Sequence, residues 1–472
     1  MIAGLISLHA QREPHRLAIK HGERHLTYRL VDEQLRRLQA GLLTARVIDY
    51  KLVGVAHSDP LVESLLLFAL EALGVATLPF IQPTDVSIVT ALRDCDLLVC
   101  EQPIEGLSVP YALITNEWLK AVVNHPVLPA LTMRQKPVAE TVNVFTTSGS
   151  MGAAKAIVFG AGALEARIAA RRTQYGLERD SRLLVAMPPS TSGTYFAAQA
   201  LLRVGGTLVY FDQATAVADL AQCTHAMMLP GLLHRLASAA RAQPRPIRCI
   251  KIFATGAKLD ASTRQLAEET LNAELIDAYG TTETGWLAMF RGSTIGDVLP
   301  GVELEVVDQQ DQPVPYGEIG QIRVRSPEMG SGYLDQLLSS QVFRGGWYYT
   351  GDFARMPAAR RIELLGREDA MMNFGGIKIA PEAVEAALTT RSLAADVAVL
   401  SLLTSEGREQ LVVACVAPRF EGTALDLELV RAIGPNLGII KVVVLDQVPR
   451  NAAGKLLRDE LRARVEEQLF RP

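Results

Sequence analysis

The first 250 residues alternate helical and strand patterns, and this alternation limits the fold more than any other feature of the chain. Val31 to Leu43 (VDEQLRRLQAGLL) carries apolar residues at helical spacing, and Lys51 to Ala56 (KLVGVA) reads as a strand. Leu61 to Leu73 reads as a helix, and Leu97 to Cys100, Leu183 to Met187 and Thr207 to Phe211 as short buried strands. Strands alternating with helices predict an α/β domain of layered, largely parallel sheets. The most apolar stretch, Leu65 to Ile81, is short for a membrane span and is broken by Glu71, Gly74 and Pro79. A buried helix followed by a buried strand accounts for it, so no membrane span is expected.

Asn124 to Glu140 holds Pro126, Pro129 and Pro137 and reads as a surface connection. After about Pro300 the pattern becomes β-dominated. Val302 to Val307 alternates, DQQDQPVPYGE makes a turn, and Gly320 to Arg325 alternates again. From Pro381 a helix, the strands VAVLSLL and QLVVACVA, and a second helix (LDLELVRAIG) predict a small α+β unit.

Composition removes several function classes. A net charge of -4 gives no broad positive field for nucleic acid. The amino terminus lacks a basic region before its short apolar stretch, so it does not read as a signal peptide. The cysteines (Cys95, Cys100, Cys223, Cys249 and Cys415) are scattered without metal-site spacing, as reduced thiols of a cytoplasmic protein would be. All eight histidines lie at or before His234, which argues against a hydrolase triad built on a late histidine.

Thr141 to Phe145 reads as a strand, followed by TTSGSMGAAK (Thr146 to Lys155) and a second strand, AIVF. Glycines let backbone N–H groups converge on anionic oxygens, hydroxyls add donors and the lysine adds charge. Gly149 and Gly152 are too close for a Walker loop, and a strand rather than a helix follows. Taken alone, the segment is equally a polar hairpin.

The loop resembles the phosphate loop of the adenylate-forming superfamily: acyl- and aryl-CoA ligases, peptide-synthetase adenylation domains and luciferases. Met151 and Ala154 depart from it, standing where a small hydroxyl residue and a proline are usual, which predicts a weaker grip on pyrophosphate. The resemblance recurs in order through FATGAKL, AYGTTE, WYYTGD, GREDAMMNFGGIKIAPEAVE and PRNAAGK. Each of these alone is a plain turn; their joint order carries the resemblance.

The resemblance implies that Thr147, Ser148, Gly149, Ser150, Gly152 and Lys155 hold the phosphates of ATP, and that the backbone at Gly256 and Ala257 lies against adenine. It implies that Tyr279 stacks on adenine beside Gly280 and Thr281, that Thr282 contacts the α-phosphate, and that Glu283 helps hold Mg²⁺. Asp352 and Arg367 are implied at the ribose, and Lys455 at the carboxylate and α-phosphate. Residues 1–367 would form the adenylation domain and 368–472 a mobile domain hinged near Asp369, with Gly375 and Gly376 lining a thiol tunnel. Ser190, Thr191, Ser192, Tyr195, Phe253, Ala278 and Trp286 fall at positions that line the acid pocket.

These roles suit activation of a carboxylic acid as an acyl-adenylate, then transfer to CoA or to the phosphopantetheine of a separate acyl carrier protein. MPPSTSGTY (Met187 to Tyr195) holds no carboxylate to anchor an ammonium group, which argues against an α-amino acid. Aromatic bulk and three adjacent hydroxyl residues favour a small aryl acid, with a short or medium aliphatic acid as the alternative. A non-catalytic acyl-adenylate binder and a non-thiol acceptor also remain open.

Overall fold

The computed structural model describes residues 2–81, 86–127, 140–147, 154–241, 250–257, 259 and 261–367. Toward the carboxyl end it describes 372–374, 377–379, 381, 384–385, 388, 396–403, 409–416, 440–450 and 456–470. The predicted helix LDLELVRAIG, Cys249, Ser148, Gly149, Ser150, Gly152, Asp369, Gly375, Gly376 and Lys455 lie outside these residues.

The fold is mixed α/β. A 14-stranded sheet begins with the hairpin Leu17–His21 and Arg24–Thr27. It continues through Thr207–Tyr210, Arg182–Val185, His225–Met228, Ile250–Thr255 and Ala273–Thr281 as parallel neighbours. At Ala273–Thr281 the sheet turns antiparallel and runs on through Gly285–Phe290, Ile295–Val298, Arg361–Arg367, Trp347–Ala358, Ile319–Arg325 and Glu303–Val307. The change in sequence texture near Pro300 is thus a change from parallel to antiparallel pairing within one sheet.

A 7-stranded sheet runs Gly332–Tyr333, Lys155–Gly160, Thr141–Thr147, Ala76–Pro79, Leu52–Val55, Leu97–Cys100, Tyr111–Leu113. The helix Pro60–Ala72 is started by Asp59, whose carboxylate accepts from the Leu61 N–H, with Pro60 fixing the first turn. It is mostly apolar and is buried over nearly all its length, including the polar side chains Glu63, Ser64 and Glu71. With Ala161–Tyr175 and Ser192–Arg203 it belongs to one apolar core that joins both sheets, from Val53 and Phe145 to Phe253 and Ala288, and that includes Tyr175, Tyr195 and Trp286. Near the carboxyl end, Asp396–Leu403, Glu409–Val416 and Ile440–Val444 form a separate 3-stranded sheet. Ala398, Leu400, Val412, Ala414 and Val443 of that sheet pack with Leu461 and Val465 of the helix Arg458–Phe470 into a core of their own. Among the described residues no helix is long and apolar enough to cross a membrane.

Candidate active site

The turn from Tyr279 to Glu283 is shaped by backbone crowding. A bulge falls between Tyr279 and Gly280 where Ala273–Thr281 pairs with Gly285–Phe290. A Cβ at Gly280 would lie 2.2 Å from the Gly285 carbonyl oxygen, so only glycine fits. Two outside donors then fix the turn: Arg167 Nη1 donates to the Thr282 carbonyl at 2.8 Å, and the Gly330 N–H to the Glu283 carbonyl at 2.8 Å. The Thr281 hydroxyl is turned inward, accepting from the Thr284 N–H at 3.2 Å.

At the Tyr279 end of this turn stands a set of polar groups. The Tyr279 hydroxyl donates to Asp352 Oδ2 at 2.5 Å, while Arg367 Nη1 lies 3.3 Å from Oδ1. Asp352 and Arg367 face each other across paired strands, and Gly351, at φ +74°, makes the bend before the aspartate. Desolvation, and then the Asp352 carboxylate, push the Tyr279 hydroxyl well above the ordinary phenol range. Gly256 and Ala257 leave the sheet beside this group, because Thr255 pairs with Ala278 and its hydroxyl donates to the Ala278 carbonyl at 3.2 Å. Gly256 is at φ +84°, and a Cβ there would meet Leu229 at 2.7 Å. Both segments leave the carboxyl ends of parallel strands, where open α/β sheets bind ligands.

At the Glu283 end lie Lys155 and Tyr333. Thr147 and Lys155 pair across the hairpin that flanks the loop. The Lys155 ammonium is 5.8 Å from the centre of the Tyr333 ring, and the Tyr333 hydroxyl donates to Glu283 Oε1 at 2.6 Å. Both Tyr333 and Glu283 are buried. Tyr333 escapes sequence inspection because it reaches the site by pairing with Ile157 from a strand of two residues.

The acid-side residues divide into groups. Phe253 and Trp286 stack with centres 5.4 Å apart and 18° between planes, and Tyr175 closes on them at 4.4 and 4.8 Å. Tyr175 donates to Met227 Sδ at 2.8 Å, and Met187 and Met227 lie near Gly193. Ala278 is buried at the end of the neighbouring strand. Tyr195 has the contacts of a core residue rather than a pocket wall: it packs on Phe68, Phe145 and Phe196 and donates to Glu71 at 2.6 Å. The Thr191 hydroxyl is committed to its helix start, donating to Pro188 and accepting from the Thr194 N–H, and Ser192 is the first helical residue. Ser190 is buried beside Glu63. Burial raises the Glu63 carboxyl to about 8, with Ser190 opposing.

Behind the turn lies a pair of arginines that the motifs do not include. Arg167 and Arg171 are buried, four residues apart on one helix, and both meet Glu328: Arg167 at its carbonyl and Arg171 at its carboxylate, 3.8 Å away. Their signal in the sequence is two arginines on the stripe that also carries Leu164, Ile168 and Tyr175. The Arg171 guanidinium lies 4.4 Å from the Trp286 ring centre.

A family model described as AMP-binding enzyme matches residues 6–334. The chain belongs to this family, the adenylate-forming superfamily. It is similar to an indoleacetate–CoA ligase of Aromatoleum aromaticum, 26% identical over 512 residues that cover 98% of both chains. It is also similar to a salicylyl-CoA synthase / salicylate adenylyltransferase of a Streptomyces species, 28% identical over 62% of this chain and 58% of that one. The solved structure of ATP-bound MatB from Rhodopseudomonas palustris shares the fold, with a TM-score of 0.87 at 19% identity and complete cover of both chains.

Proposed function

We propose that the protein activates a small aryl carboxylic acid with ATP, releases pyrophosphate, and passes the acyl group from the adenylate to a thiol. The observation that supports this reading is the pair of contacts at the two ends of the Tyr279–Glu283 segment: Tyr279 on Asp352, itself paired with Arg367, and Glu283 on Tyr333, with Lys155 5.8 Å from the Tyr333 ring centre. In this reading the Tyr279 end of the segment takes the base and ribose and the Glu283 end takes the phosphates.

The carboxylate nucleophile is already ionised, so adenylation needs no general base. The chain must instead hold two anions together and stabilise charge at the α-phosphorus. In this reading Tyr279, Asp352 and Arg367 orient the nucleoside with the Gly256–Ala257 backbone. Thr147, Ser148, Gly149, Ser150, Gly152 and Lys155 hold the phosphates, and Thr282 and Lys455 stabilise the transferring group. Glu283 is a buried carboxylate facing the phosphate side, a hard oxygen donor of the kind Mg²⁺ takes alongside substrate phosphates. Bound there, Mg²⁺ would neutralise charge on the triphosphate.

Tyr175, Phe253, Trp286 and Met227 form one buried cluster, and such bulk at the end of the acid pocket would suit a short, flat acid better than a long chain. The relatives named for indoleacetate and salicylate support the same class. The second half-reaction assigns residues 368–472 to a mobile domain turning about Asp369, with Gly375 and Gly376 at the tunnel. CoA and a carrier-protein phosphopantetheine are both accommodated by this scheme. The buried free thiols Cys95, Cys100, Cys223 and Cys415 are in keeping with a cytoplasmic protein.

Acid-dependent ATP–pyrophosphate exchange, measured over aryl and aliphatic acids with and without CoA, tests the proposal. Exchange with an aryl acid and thioester formation with CoA are expected. Exchange without thioester would direct attention to a carrier protein or non-thiol acceptor, and no exchange with any acid would favour a non-catalytic acyl-adenylate binder.

A further inference from the structure

We infer that Arg167 is a positioning residue for adenylation: it joins the Thr282 carbonyl to the Glu328 carbonyl and so fixes where Thr282 and Glu283 stand. The inference rests on the function proposed above.

Arg167 uses all three of its nitrogens. Nη1 donates to the Thr282 carbonyl at 2.8 Å, and Nε and Nη2 donate to the Glu328 carbonyl at 3.1 and 2.8 Å. The guanidinium lies against Phe159 and Phe196, with ring centres 4.5 and 4.9 Å away. One side chain thus connects three parts of the chain: the helix Ala161–Tyr175, the turn that carries Thr282 and Glu283, and the segment that leads to Tyr333. That segment returns to the turn twice more, through the Gly330 N–H on the Glu283 carbonyl and the Tyr333 hydroxyl on the Glu283 carboxylate.

Stability alone does not select such a residue. A buried guanidinium carries a desolvation cost, and well-packed apolar replacements of buried ion pairs are often neutral or stabilising. Burial, followed by the neighbouring Arg171, lowers the Arg167 pKa to about 9, with Glu328 and Glu283 opposing. The feature that an apolar residue of similar volume cannot reproduce is the three-donor fork held over two backbone carbonyls. Lysine keeps the charge but not the fork.

The test compares Arg167→Lys, Phe159→Leu and Tyr28→Phe with the parent chain in pyrophosphate exchange and thermal melting. Tyr28 gives its hydroxyl to the Gly206 carbonyl in a part of the core away from the site, so its loss lowers stability alone. Arg167→Lys is expected to lower kcat for exchange by ~10–10²-fold, the scale of a misplaced catalytic group. The KM for the acid should stay within about threefold, since uniform binding is untouched. Phe159→Leu, which removes one face of the guanidinium's support, should lower kcat in the same direction by less, and it serves if the lysine variant does not fold. Unchanged kcat in both folded variants, with only the melting temperature lowered as in Tyr28→Phe, would make Arg167 merely structural and overturn the inference. A parent chain without acid-dependent exchange would instead defeat the function reading itself.

Discussion

Tyr279 and Asp352, 73 positions apart, are bound to each other at 2.5 Å although three strands of their sheet lie between their own. Tyr279 lies on the last strand of the parallel part of the sheet and Asp352 within its antiparallel part, so the hydrogen bond ties the two parts together.

Asp352→Ala removes the acceptor of Tyr279 and the cross-strand partner of Arg367 together. Hydrogen bonds to charged groups are worth about 1.5–3 kcal/mol, so the KM for ATP should rise roughly 10–100-fold. Tyr279→Phe keeps the ring and should cost less than tenfold. Steady-state exchange kinetics with varied ATP decide this, and an unchanged KM in Asp352→Ala would remove Asp352 from the nucleotide site.

Trp286→Ala opens the wall formed with Phe253 and Tyr175 and takes away the surface under Arg171. It should destabilise the protein by about 3–5 kcal/mol. The kcat/KM ratio of a medium-chain acid to an aryl acid should rise at least ~10-fold, the scale of pocket discrimination by chain length. A lower melting temperature with the acid preference unchanged would return Trp286 to plain packing.

Glu63 gives a pH dependence of defined sign. Its carboxyl is held up from 4.5 to about 8 by burial, with Ser190 opposing and Glu101 adding. The folded chain therefore binds more protons than the unfolded chain between those values, and stability falls as pH rises through the window. Glu63→Gln removes the ionisation. Melting temperatures of variant and parent should be closest below pH 4.5 and diverge in favour of the variant up to about pH 8, with a ceiling of roughly 5 kcal/mol. Parallel curves would show that Glu63 is ionised in the fold.

Lys455→Ala should lower adenylation by ~10²–10³, as for loss of one transition-state donor, and spare thioester formation from supplied acyl-adenylate. Normal exchange in the variant would take Lys455 out of the first half-reaction.

Much of the fold is legible in short-range pattern. Leu97–Cys100 shows its bounds directly, because a continuous apolar run between polar residues has few other homes. The alternation in Glu303–Val307 and Ile319–Arg325 likewise gives the hairpin. The site is legible only where motif and backbone coincide, as at Gly280 and Gly351. Tyr333 and Arg167 are hidden because their roles come from long-range contacts: one is set by pairing with Ile157, the other by carbonyls 115 and 161 positions away. Tyr195 shows the converse error. Its place in the motif points to the pocket, but Glu71, on the distant helix Pro60–Ala72, takes its hydroxyl.

The parallel pairing of Leu17–His21 with Thr207–Tyr210 sets an order of events during synthesis. The Arg16 guanidinium is secured to the Gly205 carbonyl, 189 positions later in the chain. At ~5–20 residues per second a ribosome needs on the order of 10–40 s to supply that partner. Through that interval the first hairpin has an unpaired edge, and the buried face of Pro60–Ala72 waits for the second half of its core. A nascent chain arrested before residue 207 is therefore the form of this protein most exposed to chaperones and to aggregation.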